Sequence, residues 1–438
     1  MSVASHRWSS PTRWLSRALP PGRFGRAMTT QIPDESAADQ AFRAEARTFL
    51  EAHARPRPPG SSSSPLGKEM TAEAEAAHVQ ECRDWQATLA ANGWAGISWP
   101  AEYGGRGGTV GQARIFAQEE ARFDVSSGAF MVAIAMVGPT IIAHGVEEQK
   151  AYYLPRMLDG EHVWCQLFSE PGAGSDLAGL TTRAERDGDE FVVNGQKVWT
   201  SGAHFSDWGM LLARTDWDVP KHRGITYFLV DMRSPGIEVR PLRQITGYAH
   251  FNEVFLTDVR IPAANVLGEV NGGWGVAQTT LGNERAAIGG GGSGIGFKAL
   301  LHLAEALGRT GDPTVRQDLA RSYTRFELLN WLGQRARARA KQGKQPGSEA
   351  SVMKMLASQR VAADSDLALA LEGPAGMLQS GDAPEEGMFQ QMFLNQWSVR
   401  IGGGTEQIQR NVLGERVLGL PSEPRPDKSL PFRDLPRN

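Results

Sequence analysis

The hydrophobic period changes twice along this 438-residue chain, and that change limits the folds open to it. From Ala37 to Ala54 the apolar residues Phe42, Ala46, Phe49 and Leu50 recur at helical spacing, and the pattern stops at the loop PRPPGSSSSPLG. Helical patterns resume through 69–92, 111–122 and 147–158. Near residue 163 the pattern shortens: VWCQLF, EFVVNGQKVW, GMLLAR, GITYFLVDM, GIEVRPL and EVFLTDVRI are short segments rich in β-branched and aromatic residues. After Gly273 the helical spacing returns, with Phe297, Leu300, Leu301, Ala304 and Leu307 on one face, then long segments near 315–342, 348–371 and 385–418. Runs of strands without intervening helices imply a compact antiparallel unit and not a doubly wound sheet. The expected fold is therefore mainly α with a central antiparallel β domain: helices over 35–160, strands over 161–270 and a bundle of long helices over 271–420. Residues 421–438 form a Pro/Arg-rich tail with too few apolar groups to pack alone.

A chain of this length can enclose a large ligand. Its 46 Lys and Arg against 49 Asp and Glu give a net charge of −3, which supplies no electrostatic basis for a nucleic-acid groove or an anionic membrane surface. The stretch Gly128–Ala143 is uncharged and apolar, but it is too short for a membrane span and Gly138-Pro139 breaks it. A buried helix or helix pair is expected there. Cys82 and Cys165 lack metal-ligand spacing, so two free thiols in a reducing compartment are expected, with no metal site. Residues 1–27 carry five arginines, several serines and no acid, which is how a mitochondrial transit peptide reads. Met28 offers a simpler start, with 1–34 as a disordered leader or upstream mis-start of a cytoplasmic protein.

Four local signals carry the chemistry. Asn194-Gly195 reads as a type I′ hairpin turn between FVV and QKVW. Gly289, Gly291 and Gly294 satisfy G-x-G-x-x-G, but a dinucleotide fingerprint needs a preceding strand, and this run lies inside a helical pattern. Its glycines instead imply close approach of a neighbouring helix or a bulky ligand. Gln166 to Asp176 (QLFSEPGAGSD) is a tight loop directly after a strand, whose amides, with the Ser169 and Ser175 hydroxyls, suit a polar ring edge or a phosphate as well as a purely structural turn. Trp199 and Ser201 emerge where a strand ends, so the indole either packs in the core or stacks on a flat heteroaromatic ring.

Taken together, QLFSEPGAGSDLAGL, GQKVWTSGAHFSDW, PGIEVRPL, DVRIPAANVLGE and GGTEQIQRNVLGERVLG strongly resemble acyl-CoA dehydrogenases, over about 35–420. The resemblance implies an N-terminal helical domain, a middle β-barrel domain and a C-terminal four-helix bundle, with FAD between the last two. It implies that Gln166, Phe168 and Ser169 line the flavin, that Trp199 and Ser201 sit against its ring, and that Gly174 and Ser175 lie near the pyrophosphate or the coenzyme arm. Thr405 and Gln407 would touch the adenine half, Gly373 would add a cofactor contact, and a second subunit would complete the site in a homodimer or homotetramer. The family's Arg-Lys-Thr-Phe-Gly pyrophosphate motif is absent, and Arg309 marks its nearest remnant.

The implied reaction removes hydrogen from the α and β carbons of an acyl-CoA thioester to give the trans-2-enoyl-CoA, as in fatty acid β-oxidation, and passes electrons to an electron-transfer flavoprotein. It needs one carboxylate as base. Many family members place it just before the Gly-Thr pair near the C-terminus, but here that position is Gly403. A second branch, typified by isovaleryl-CoA dehydrogenase, carries it on an earlier helix before an arginine, and Glu284-Arg285 matches that placement. Glu284 is thus the candidate base, Glu406 the fallback, Arg285 a neighbour of the coenzyme, and the Gly403 N–H an oxyanion donor. On the same fold, an acyl-CoA oxidase, a flavin monooxygenase and a non-catalytic subunit of a mixed tetramer are the alternatives.

Overall fold

The computed structural model describes residues 36–58, 71–290, 296–341 and 349–436, so the leader, most of the PRPPGSSSSPLG loop and the end of the glycine run lie outside the described residues. Helix α1 (Ala37–His53) starts on Ser36, whose Oγ accepts the Asp39 N–H, and it buries Phe42, Ala46, Phe49 and Leu50 as the spacing predicts. Helices α2 (Ala72–Ala91), α3 (Val110–Glu120), α4 (Gly138–His144) and α5 (Glu147–Leu158) complete the first helical layer. An aromatic stack binds it, with Trp94 5.3 Å from Phe49 and 5.0 Å from Phe116. The apolar stretch before α4 is helical and packs inside the protein, but Gly138-Pro139 does not break it. A π-helical turn over Ala133–Val137 leads directly into α4, and Pro139 is accommodated in the first turn of α4. No described helix is long and apolar enough to cross a membrane.

Seven strands follow: β1 (Trp164–Leu167), β2 (Arg183–Asp187), β3 (Glu190–Ser201), β4 (Trp208–Arg214), β5 (Ile225–Asp231), β6 (Ile237–Leu242) and β7 (Phe251–Pro262). They form one curled sheet in the order β1-β4-β2-β3-β7-β6, with β5 on the other edge of β4. No ladder joins β5 to β6 among the described residues, so the sheet occupies the barrel's place without closing. Most ladders are antiparallel; the exceptions are both on β4, which β1 joins in parallel with Trp164 opposite Trp208 and β2 joins in parallel at Arg183 opposite Arg214. β4 and β5 are buried on both faces, which is why they read as near-continuous apolar runs.

The hairpin prediction at Asn194-Gly195 is overturned. β3 runs unbroken through that pair, and the β2–β3 turn lies at Gly188-Asp189, where Gly188 has φ +63. Gly195 instead marks a β-bulge against β7. A Cβ there would meet Thr182 at 2.5–2.8 Å, and the Asn194 amide pairs with the side chain and N–H of Asp258 across the bulge.

Helix α6 (Gly273–Gly290) opens the last third, followed by α7 (Phe297–Ala306), α8 (Pro313–Lys341), α9 (Glu349–Glu372), α10 (Met388–Ile401) and α11 (Glu406–Val412). α9 is central, packing on α6, α7, α8 and α10 around Leu300, Leu303, Leu319, Ala368 and Phe389. The tail, expected to stay unpacked, returns to the sheet: Phe432 is buried against Trp217 beyond the end of β4. One aromatic ring suffices because the partner surface is already built.

α6 touches the π-helical turn, α4, β5 and α9, so it is the junction of all three parts of the molecule. Its start requires glycine: a Cβ at Gly273 would lie 2.5 Å from the Tyr227 N, whereas nothing lies within 4 Å of one at Gly275. Gly273→Ala is expected to lower unfolding free energy by about 1–3 kcal/mol by forcing α6 off β5. Gly275→Ala, in the same turn, should be neutral or slightly stabilising. Urea denaturation of the two variants checks the contrast.

Candidate active site

The structure brings together two of the residues singled out in the sequence, 118 positions apart: Gln166 Nε2 on β1 donates to Glu284 Oε2 on α6 at 3.5 Å. Both side chains are half-buried. Burial pushes the Glu284 carboxyl above its ordinary value, against the opposing Gln166 hydrogen bond and the charge of Arg285. Arg285 itself is exposed at the next helical position. Hydrogen bonds fix α6 here: the Thr280 hydroxyl meets Thr140 at 3.1 Å and Tyr227 at 3.2 Å, and His144 Nε2 meets Thr279 at 2.8 Å. Glu284 is thus a carboxylate on a rigid element, held out of full solvent and, among the described residues, in no ion pair.

The loop after β1 hangs from Glu170. Its carboxylate accepts the Thr181 N–H and hydroxyl (2.6 and 2.9 Å), the Thr182 N–H (2.8 Å) and Lys197 Nζ (2.8 Å). Burial alone would raise this carboxyl, but the Lys197 charge and these hydrogen bonds outweigh it and hold it down at about 2. Lys197 also donates to the Phe168 carbonyl, and the Ser169 carbonyl accepts the Val198 N–H, so β3 grips the loop along its length. The Phe168 ring packs edge-on against Tyr227 in the core, so only its main chain is left to face a ligand. Beyond Glu170, Gly174 and Ser175 are exposed, and Asp176 is anchored to Lys221 at 2.8 Å.

Trp199 and Ser201 stand exposed at the end of β3, while Val198 before them and Thr200 between them are buried. A bulge between Lys197 and Thr200 turns the strand, and Trp199 takes φ +62, a costly conformation for a bulky residue. Its indole is 56% exposed and touches Phe251 edge-on at 5.7 Å. Core packing does not account for a strained, outward-facing indole. An open aromatic surface beside an exposed hydroxyl fits a planar heteroaromatic group such as a flavin.

The remaining candidates belong to the bundle. Arg309 lies in the α7–α8 turn, paired with Asp312 at 3.2 Å. Gly373 ends α9 with φ +59. Gly403, φ +65, lies in the glycine turn between α10 and α11, and Thr405 caps α11 by accepting the Ile408 N–H. Gln407 is exposed on the first turn of α11. The fallback carboxylate Glu406 is buried and tied to Arg400 at 3.0 Å and Arg410 at 3.8 Å, which suits a structural clamp better than a free base. A cavity of about 310 Å³ lined by Arg183, Phe191, Thr215 and Trp217 sits on the β2–β4 flank and shares no residue with the Gln166–Glu284 contact.

Family models described as the N-terminal, middle and C-terminal domains of acyl-CoA dehydrogenase match residues 36–161, 165–259 and 271–418. Acyl-CoA dehydrogenase IpdE1 of Mycobacterium tuberculosis is 40% identical over 347 residues, covering 78% of this chain and 89% of that protein. Acyl-CoA dehydrogenase FadE34 of the same organism is 42% identical over 337 residues, 77% of this chain, which spans only 46% of that longer protein. Among solved structures, the Tcur3481-Tcur3483 steroid ACAD superposes with a TM-score of 0.74 at 32% identity, covering 89% of this chain and 99% of that one.

Neither Glu170 nor Lys197 stood out in the sequence, because each reads as a surface charge until the fold places them together. The available signals were a lysine inside the apolar strand segment EFVVNGQKVW and an acid in the tight loop after β1. Lys197→Met would leave a buried carboxylate without its counter-charge and is expected to destabilise the protein by about 3–5 kcal/mol. The Glu170→Gln/Lys197→Met double variant should lose much less than the sum of the single losses, and denaturant titration of all three checks it.

Proposed function

The chain belongs to the acyl-CoA dehydrogenase family, and from that premise we propose that Glu284 takes the α proton of an acyl-CoA thioester. The observation that carries this reading is the Gln166–Glu284 contact across the β1–α6 crevice. Three further facts support it. Gly403 has no side chain to serve as base, Glu406 is held by Arg400, and the Glu284 carboxyl is shifted towards the working range of a base. Bound FAD supplies the acceptor for the hydride that leaves the β carbon, and the protein's residues position it. Trp199, Ser201, Gln166 and the main chain of Phe168 and Ser169 would hold its ring. Gly174, Ser175, Arg309, Gly373, Thr405 and Gln407 would serve its phosphates and adenine, the last group with help from a second copy of the chain. Ser175 and Arg285 would meet the coenzyme arm, and the Gly403 N–H would polarise the thioester carbonyl. Electrons would then leave to an electron-transfer flavoprotein.

The substrate is read as a ring-bearing or branched acyl-CoA. Gly289 to Gly292 follow Glu284 closely in the sequence and carry no side chains, and a similar solved structure is named a steroid ACAD. Anaerobic titration with butyryl-, isovaleryl- and cyclohexanecarbonyl-CoA should bleach the wild-type flavin most readily with the bulkier thioesters; turnover confined to butyryl-CoA would sink that choice. Glu284→Gln should retain thioester binding and lose bleaching by roughly 10²–10⁴-fold. Only the ionised carboxylate accepts a proton, so kcat/KM should rise with pH through a midpoint above the ordinary glutamate value of 4.5, and that limb should vanish in Glu284→Gln.

A mixed assembly is the second reading, favoured by two similar structures whose titles name paired chains, Tcur3481-Tcur3483 and the ChsE4-ChsE5 complex from Mycobacterium tuberculosis. One flavin per chain in a homo-oligomer of the purified protein, by native mass spectrometry, would exclude it.

A further inference from the structure

The docked tail reaches the site through a single buried cation. Arg214, at the end of β4, is fully buried, and its guanidinium donates to three carbonyls: Ala178 at 2.7 Å, Leu180 at 3.1 Å and Lys221 at 3.1 Å. Ala178 and Leu180 belong to the short turn Leu177–Gly179 and its exit, directly after Gly174, Ser175 and Asp176. Lys221 returns to the same loop by donating to both Asp176 carboxylate oxygens, at 2.9 and 2.8 Å. Three of the five N–H groups of Arg214 thus donate to carbonyls in its plane, and its faces remain for packing.

Phe432 takes one of those faces, with the guanidinium carbon 3.4 Å from the ring centroid. An aromatic face attracts the cation without competing for its donors. The ring is fastened by main-chain bonds on either side: the Phe432 N–H donates to Val219 at 2.9 Å and the Arg433 N–H to Trp217 at 3.1 Å, while the Arg433 side chain pairs with Asp218. Without the ring, water reaches the cation and competes for the carbonyls that hold the turn.

We propose that Phe432 and Arg214 are positioning residues for the coenzyme-binding loop. Docking of the C-terminal segment fixes the Leu177–Leu180 turn, and so the Gly174–Ser175 loop that meets the coenzyme arm. This inference rests on the role given to Ser175 above.

The test compares the full-length flavoprotein with Phe432→Ala, Phe432→Leu and Phe432→Trp by hydrogen exchange and by calorimetric titration with coenzyme A. Phe432→Ala should release the Gly179 and Leu180 amides, which donate to Asp176 and Leu177, and weaken coenzyme A binding roughly fivefold to twentyfold at unchanged flavin content. Phe432→Leu fills the space without an aromatic face and should behave like Phe432→Ala. Phe432→Trp should restore both readings. A lower melting temperature in Phe432→Ala with exchange and coenzyme affinity unmoved would overturn the proposal. If the wild type binds no coenzyme A, the functional reading fails on its own, and unchanged amide exchange would still refute the positioning role.

Discussion

A single buried carboxylate organises the part of this molecule that matters for chemistry. Glu170 lies at the point where β1 has ended, β2 has not begun and β3 passes alongside, and it gathers donors from Thr181 and Thr182 just before β2 and from Lys197 on β3. A buried ion pair is weak evidence of net stability, since dehydrating both charges is costly. Its value lies in geometry: four convergent hydrogen bonds define one arrangement of the loop, and any shift of β3 against β1 breaks several at once. The exposed Ser175 and the outward Trp199 are both set by that arrangement, one from the loop and one from the strand that grips it.

α6 supplies the opposing wall. It is wedged between the sheet, the first helical layer and the bundle, and its threonines bond to both Tyr227 and Thr140. A carboxylate on such an element is held in place by the backbone, because hydrogen bonds to Thr140, His144 and Tyr227 fix the preceding turns of the helix. The raised proton affinity of Glu284 follows from the same placement, since the wedge removes solvent without providing a full counter-charge.

Much of the architecture was legible in the hydrophobic period, because helices such as α1 bury one stripe and the buried strands β4 and β5 carry charge only at their last residues. Local turn chemistry was less reliable. Asn194-Gly195 carries a strong hairpin signal, yet the ladder to β7 and the close approach of Thr182 make it a bulge. The parallel pairing of β1 had no signature, since four residues buried on both sides show no alternation. Glu284 became a candidate only through resemblance, and its contact with Gln166 was not legible: nothing in its neighbourhood in the chain announces Gln166, which the fold delivers from far upstream. The docking of Phe432 escaped because a tail's own composition says nothing about a surface already prepared for it.

The apolar interior does not divide where the sequence does. One continuous core runs from Phe42 and Trp94 through Met210, Leu212 and Tyr227 on one face of the sheet to Val276 and Ala277 of α6, while Leu211, Phe228 and Val254 form a separate core on the other face. The first helices, half of the sheet and the start of α6 therefore melt as one cooperative block, and the bundle, with its own core around Phe389, is the natural second foldon. Glu284 lies near the seam between those two blocks, so loosening of the bundle alone would expose the site before the rest of the molecule gives way.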